Sequence, residues 1–397
     1  MSDYNRVTAT INLDAIRYNL METRNRLQVG TKLMAIIKAD GYGHGAVPIA
    51  KAVDDIADAY GVAILEEAIE LREAGITKPI LILGFTTSDF YGKVVKLCLA
   101  QTVYQYEMAK KLSDVALRLH KKAQIHIKVD TGMNRIGYDL SDESIADIVR
   151  ISELPGIELT GIFTHFACAD MEDNSFAYLQ LERYLTFAKK LKELGVNIPV
   201  QHAANSAAII EMPEANLDMV RSGISTYGLY PSQEVHQEEL ALRPAMELHT
   251  HIVYLKQIEA GVGVGYGCTF ITKRQTKVAT IPVGYADGYP RSLSNNGRVL
   301  IHGISCPIIG RICMDQFMVD VTEIEEVAEG DIVTLIGKDK EEMISVEELA
   351  EAAGSFNYEF VCNISKRVPR KYILNGKNVG SMTFHGKHML NEEEFVL

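Results

Sequence analysis

Paired cysteines, long apolar runs and excess positive charge are all missing from this chain of 397 residues. The six cysteines (Cys98, Cys168, Cys268, Cys306, Cys313 and Cys362) are scattered, without a C-x-x-C pair or a zinc-like spacing. Neither a disulfide framework nor a metal site is expected, and a reducing cytoplasm is the expected compartment. Cys313 reads as a small buried hydrophobe. No apolar stretch approaches the length needed to cross a bilayer. The opening Met1-Ser2-Asp3-Tyr4-Asn5-Arg6 lacks the charged-then-apolar order of a signal peptide. A formal net charge of −12 argues against nucleic acid or an anionic membrane as partner, since both select clustered Lys and Arg. Short-period repeats and low-complexity tracts are also absent. What remains is an ordinary globular composition, 47% hydrophobic and 23% charged, long enough for two domains with sizeable cores.

The most informative stretch is Leu33-Met34-Ala35-Ile36-Ile37-Lys38-Ala39-Asp40-Gly41-Tyr42-Gly43-His44-Gly45. Five apolar residues run into Lys38, as in a strand buried on both faces. Three glycines within five positions then require a sharply bent or closely approached loop. From Val47 to Ala57 the apolar residues follow a helical period. Lys38 therefore stands where a buried strand ends. Desolvation there would lower its pKa and favour a neutral amine able to attack a carbonyl and form an imine. A lysine whose stem merely covers the strand end satisfies the same residues.

Val7–Leu13 alternates as a half-buried strand, with Asp14 placed to N-cap the following helix. Strands are expected at 33–37, Tyr60–Ile64, Pro79–Leu83, Ala100–Tyr104, Gln124–Asp130, Ile157–Thr164, Ile198–Gln201 and Asp218–Arg221. Amphipathic segments such as Glu66–Ala74, Gln105–Leu119, Ser141–Ile151 and Tyr178–Leu194 lie between them. Repeated βα alternation implies parallel strands, and eight of them within about 200 residues suggest a closed (β/α)8 barrel. A doubly wound sheet is the structural alternative. Barrel active sites lie at the carboxyl ends of the strands. Lys38, Lys128 with Arg135, His165, Asn205-Ser206, and Arg221 with Gly223 all fall there.

After Pro231 the chain turns polar and acidic over Ser232–Leu240, a surface connection. Short β-rich runs follow at Leu248–Leu255, Val278–Val283, Arg298–Ile301, Met318–Val321 and Asp331–Ile336. Only Val346–Ala353 reads as helix, N-capped by Ser345 with Glu348 three residues on. The expected division is a barrel over 12–240 and a mainly β domain over 241–384, with the first strand, 1–11, able to pack with the latter. Residues 385–397 read as a flexible tail.

Ile37-Lys38-Ala39-Asp40-Gly41-Tyr42-Gly43-His44-Gly45 resembles the pyridoxal-phosphate attachment motif of the alanine racemases, and later motifs match that family in order over nearly the whole chain. The resemblance implies a pyridoxal 5'-phosphate enzyme interconverting L- and D-alanine in the cytoplasm, supplying D-alanine for peptidoglycan. It implies two bases on opposite faces of the substrate: Lys38, and Tyr266 in Val264-Gly265-Tyr266-Gly267-Cys268-Thr269-Phe270. Reference pKa values near 10 for both residue types make either base cost about 4 kcal/mol at neutral pH unless the site lowers it. Alone, a tyrosine between glycines would read as a turn aromatic, and Thr164-His165-Phe166 as a satisfied core histidine.

By the same resemblance, Arg221 would face the pyridine nitrogen and His165 would link Arg221 to the tyrosine. Tyr42, Ser206, Gly223, Ile224 and Tyr358 would surround the phosphate. Arg135, in Lys128-Val129-Asp130-Thr131-Gly132-Met133-Asn134-Arg135, would bind the substrate carboxylate with paired donors. Met314, in Arg311-Ile312-Cys313-Met314-Asp315-Gln316, would approach it through its backbone. Lys128 is carbamylated in some relatives, and an ordinary salt bridge is equally compatible here. Tyr285, in the Pro282–Arg291 motif, would narrow the entrance. Tyr266, Tyr285, Met314 and Asp315 would come from the partner in a head-to-tail homodimer. A serine or broad-specificity racemase uses the same parts, because a methyl-sized pocket rejects an added hydroxyl weakly. A decarboxylase of related architecture disagrees with Arg221. A non-catalytic pyridoxal-phosphate carrier would need neither the β domain nor the Tyr266 motif.

Overall fold

The computed structural model describes residues 6–383 and 386–388. The chain forms two compact units, one of residues 15–41 and 46–244, the other of the N-terminal segment to Asp14, Tyr42–Gly45 and the chain from Ala245 onward. With β1 assigned to Val7–Asn12, the first unit holds β2 (Lys32–Ile36), β3 (Ala59–Val62), β4 (Ile80–Ile82), β5 (Ala100–Val103), β6 (Ala123–Lys128), β7 (Ile157–Phe163), β8 (Gln201–His202) and β9 (Met219–Ser222). These strands pair in parallel in the order β8-β7-β6-β5-β4-β3-β2-β9. Backbone bonds from Asp218 N–H to the Gln201 carbonyl (3.1 Å) and from Arg221 N–H to the Ala204 carbonyl (3.1 Å) join the two ends. The result is the expected (β/α)8 barrel.

Helices cover it because their apolar residues recur on one face. Tyr106–Arg118 buries Met108, Ala109, Leu112, Ser113 and Ala116. Each fully buried aliphatic side chain of this kind stabilises the fold by roughly 1.5–3 kcal/mol. Ser113 is tolerated there because its hydroxyl accepts from Gly156 N–H at 3.0 Å. Asp142–Ser152 starts at Ser141, whose hydroxyl accepts from Ser144 N–H at 3.2 Å.

Local departures from expectation have physical reasons. The strand expected at Ile198–Gln201 is Gln201–His202, since Pro199 has no N–H to offer a ladder. Asp14 is not the N-cap: the helix begins at Leu13, and the Asp14 carboxylate accepts instead from Asn375 N–H at 2.8 Å. The helix after Gly45 stops at Ala52.

In the second unit β1 pairs antiparallel with Met246–His251 and parallel with Arg370–Leu374 within a large, mostly antiparallel sheet. The run expected at Leu248–Leu255 is two strands, Met246–His251 and Tyr254–Ile258. Between them Ile252 N–H still bonds to Asp331 while Val253 N–H has moved to Thr280, so the chain changes partners. The expected helix is Val346–Ala352, with Ser345 Oγ accepting from Glu348 N–H at 3.1 Å. A second helix, Asn357–Asn363, follows it. Of the tail, Gly386–His388 pair with Lys377–Thr383, and 385 and 389–397 lie outside the described residues. All six cysteines are free, and Cys313 is half-buried rather than buried. Among the described residues no helix is long and apolar enough to cross a membrane.

Candidate active site

The residue after Ile37 cannot continue β2, because the backbone turns left-handed. Ala39 (φ 53°), Asp40 (φ 51°), Gly41 (φ 60°) and Tyr42 (φ 51°) lie in the left-handed region. Non-glycine residues there cost roughly 1–2 kcal/mol each, so the turn needs support. Gly41 N–H bonds to the Ile37 carbonyl (2.9 Å), Ala46 N–H to Asp40 Oδ1 (2.9 Å), and Ala39 N–H to Glu67 Oε1 (2.6 Å). Lys38 thus leaves the carboxyl end of β2 on a braced backbone.

Lys128 is the last residue of β6, His165 follows β7, Asn205-Ser206 follow β8, and Arg221 stands in β9 just before Gly223. Closure of the barrel gathers these ends. Burial, then the positive charges of Arg221, Arg135, Lys128 and Lys38, hold His165 well below the usual imidazole range. The charges of four cationic side chains are thus felt at one neutral imidazole, which suits the mouth to anions.

Arg221 is fully enclosed. Its guanidinium donates to His202 Nδ1 (3.0 Å), His165 Nδ1 (3.2 Å) and the carbonyls of Thr164 (2.9 Å) and Ala203 (2.8 Å). These partners are all neutral, so its charge is not cancelled by a carboxylate. Burial lowers Arg221 to about 10, leaving it protonated at neutral pH. Burial also brings Lys128 down to about 8, against the attraction of Asp130 and with the repulsion of Arg221 and Arg135. Its amine donates to the Val129 carbonyl at 2.7 Å. The Asp130 carboxylate accepts from the N–H groups of Gly132 (2.9 Å), Asn134 (3.1 Å) and Arg135 (3.1 Å), which folds the loop that presents exposed Arg135.

Ser206 opens the helix Ser206–Glu211, behind an Asn205 cap whose side chain accepts from Ala208 N–H at 3.0 Å. Ser206 Oγ accepts from Gly223 N–H (2.8 Å) and lies 3.0 Å from Ser225 Oγ, and Ile224 begins the next turn. A hydroxyl and backbone N–H groups are thereby brought to one spot, the donor set that a phosphate takes. Together with Lys38 and the enclosed Arg221, they suit pyridoxal phosphate chemically.

The other motif residues belong to the second unit. Tyr42 is buried there with its ring 6.1 Å from that of Tyr358. Gly43 leaves no room for a side chain, since a Cβ would strike the Val361 carbonyl oxygen. Tyr266 is 71% exposed, Met314 52% and Tyr285 43%. Their segments are nonetheless tied together. Tyr285 N–H bonds to the Cys313 carbonyl (3.1 Å) and Ala286 N–H to the Met314 carbonyl (3.0 Å). The Tyr266 turn rests on Arg311, whose backbone lies 3.3 Å from a Cβ placed at Gly265. Asp315 accepts from Arg367 at 2.8 Å.

Sequence reasoning passed over His126, His202, Phe163 and Glu67. For His126 a signal existed: Gln124, His126 and Lys128 alternate along β6 on the face that a barrel normally fills with branched apolar residues.

Residues 11–231 match the family described as the alanine racemase N-terminal domain, and residues 245–372 match the alanine racemase C-terminal domain. The alanine racemase of Methanococcus maripaludis is 48% identical over 368 residues, covering 92% of this chain and 98% of that protein. That of Clostridium perfringens (strain SM101 / Type A) is 47% identical, covering 94% and 97%. Among solved structures, alanine racemase from Clostridium difficile 630 superposes with a TM-score of 0.91 at 42% identity, covering 95% of this chain and 98% of that one. Alanine racemase from Bacillus anthracis with bound L-Ala-P gives 0.91 at 38%, covering 97% and 99%. Fold, both domains and relatives agree: the chain belongs to the alanine racemase family.

Proposed function

We propose that the chain is a cytoplasmic, pyridoxal 5'-phosphate-dependent alanine racemase that interconverts L- and D-alanine with Lys38 and Tyr266 as opposed proton carriers. The observation that carries this reading is Arg221, a protonated guanidinium among neutral partners within the same mouth as Lys38. Bound there, pyridoxal phosphate would supply an electron sink for the pair left at the substrate Cα. Arg221 would donate to the ring nitrogen and, being positive, disfavour protonation of that nitrogen. Ser206, Gly223, Ile224, Tyr42 and Tyr358 would hold the phosphate, and Lys38 would be the cofactor's point of attachment. Lys38 would then exchange a proton with one face of Cα and Tyr266 with the other. His165, kept neutral and accepting from Arg221 at Nδ1, would carry its proton on Nε2 and orient the tyrosine hydroxyl. Arg135 and the backbone at Met314 would fix the substrate carboxylate.

Exposure of Tyr266, Tyr285 and Met314 supports a homodimer in which these residues complete the partner's site. A lysine lowered to about 8 has a usable neutral fraction at physiological pH, which supports carbamylation of Lys128: the amine adds to carbon dioxide and releases one proton. The resulting anion would hold Arg135. Two-domain matching argues against a single-domain cofactor carrier. Supply of D-alanine for peptidoglycan is the role consistent with this activity. The test is D-alanine formation from L-alanine by purified, cofactor-loaded protein, with L-serine in parallel. Deuterium from solvent should enter Cα of alanine; neither product nor label would refute the assignment.

A further inference from the structure

A polar column runs through the barrel beneath Arg221. His126 Nδ1 lies 2.9 Å from His202 Nε2, and His202 Nδ1 lies 3.0 Å from the Arg221 guanidinium. A guanidinium has only donors, so His202 Nδ1 must accept. A neutral His202 then carries its proton on Nε2 and donates it to His126 Nδ1. Hydrogen bonds fix the whole chain in one direction: Arg221 to His202 to His126. Both imidazoles are buried beside this cation, which keeps them in the neutral form that the pattern requires.

The barrel is shaped around His126. The β6–β7 register shifts between Ile125 and His126, which sets Gly161 opposite the imidazole. A Cβ at Gly161 would lie 2.5 Å from His126 Nδ1. Phe163 stacks on His202 with ring centroids 4.7 Å apart and planes 10° from parallel. On its other side His126 borders a cavity of about 450 Å³ lined also by Lys32, Ala59, Ile80, Ala100 and Met219, the first or second residues of their strands. His126 thus ends the imidazole column on the side of that cavity.

We propose that His126 is a positioning residue for Arg221, holding His202 in the Nε2–H tautomer so that its Nδ1 stays the acceptor that sets the guanidinium in place. The inference rests on the reading in which Arg221 faces the cofactor ring nitrogen. Without an acceptor at position 126, the buried His202 Nε2–H has no partner. Moving the proton to Nδ1 would set donor against donor at Arg221, and the guanidinium would shift.

The experiment compares His126→Leu, which removes the acceptor, with His126→Asn, whose Oδ1 can stand where Nδ1 stood. Pyridoxal-phosphate affinity and the visible band of the loaded enzyme are read for both. Nitrogen NMR of the histidine rings in the wild-type holoenzyme gives the tautomers. Removing such a supporting partner should weaken cofactor binding about tenfold and move the band in H126L, while H126N stays within about twofold of wild type. His126 and His202 should both be neutral with the proton on Nε2. Equal impairment of the two variants would reduce His126 to packing and overturn the proposal. So would wild-type behaviour of H126L, or a proton on His202 Nδ1. If H126L does not fold, H126N and the NMR decide, an impaired H126N counting against. A wild-type protein that binds no pyridoxal phosphate would instead refute the proposed function, a separate result.

Discussion

The barrel mouth and the face of the second unit carrying Tyr266 are built in opposite ways. At the mouth, Arg221, Lys128 and Ser206 are buried, and their hydrogen bonds are made within one chain. On the other face, Tyr266, Tyr285 and Met314 are open, although the backbone beneath them is firmly tied. Buried cations are expensive to desolvate and persist only when their donors are met, so the mouth must be preassembled as the barrel closes. Large side chains held in place yet uncovered offer a surface on which the proposed second copy could close. The contrast is the one expected if, as proposed, a cationic half-site on one chain is completed by the aromatic residues of a second copy.

Substitutions can break this comparison, and the largest effect is expected at the mouth. Lys38→Ala should abolish the cofactor's visible band and cut racemisation by more than about 10³-fold, since attachment and one proton carrier go together. Tyr266→Phe should keep the band and lose about 10²–10⁴-fold of activity. Absorbance and D-alanine assays on both variants check this, and equal loss of cofactor would deny the division of labour. Arg135→Lys, which removes paired donors at an exposed loop, should raise KM for alanine about tenfold with a smaller change in kcat.

A smaller effect sharpens the contrast through pH. Burial depresses His126, His165 and His202, with His126 at about 3. The unfolded chain binds these protons near the ordinary value of about 6.5. Stability is therefore complete above that value and is lost as the pH falls toward the folded values. At pH 5 the burial of His126 should cost about 2 kcal/mol. Denaturant titrations at pH 7 and pH 5 should show His126→Asn to be less acid-sensitive than wild type by roughly that amount.

The barrel was legible because buried parallel strands and amphipathic helices have different periods, and strand ends announce themselves through polar residues after apolar runs. Lys38, Lys128 and Arg221 could be located in this way. The second unit was harder. Arg370–Leu374 starts with two charged residues, and Ile304–Ile309 contains Pro307 and exposes half its positions, so neither displays a strand pattern. Asn357–Asn363 has no side-chain cap to announce it, unlike the equally short Val346–Ala352 behind Ser345. Tyr266 could not be chosen from local pattern, because its surroundings are glycines and its proposed task lies outside its own chain. His126 and His202 were missed for another reason. Their polarity is satisfied side chain to side chain, across 76 positions of sequence, and only barrel closure brings them together.

Mixing inactive Lys38→Ala and Tyr266→Phe subunits tests the two half-sites most directly. Each heterodimer should regain one site with both an intact mouth and an intact tyrosine, so full exchange of equal amounts should restore about one quarter of wild-type activity. No recovery after exchange has been verified by mass would contradict a site shared between two copies of the chain.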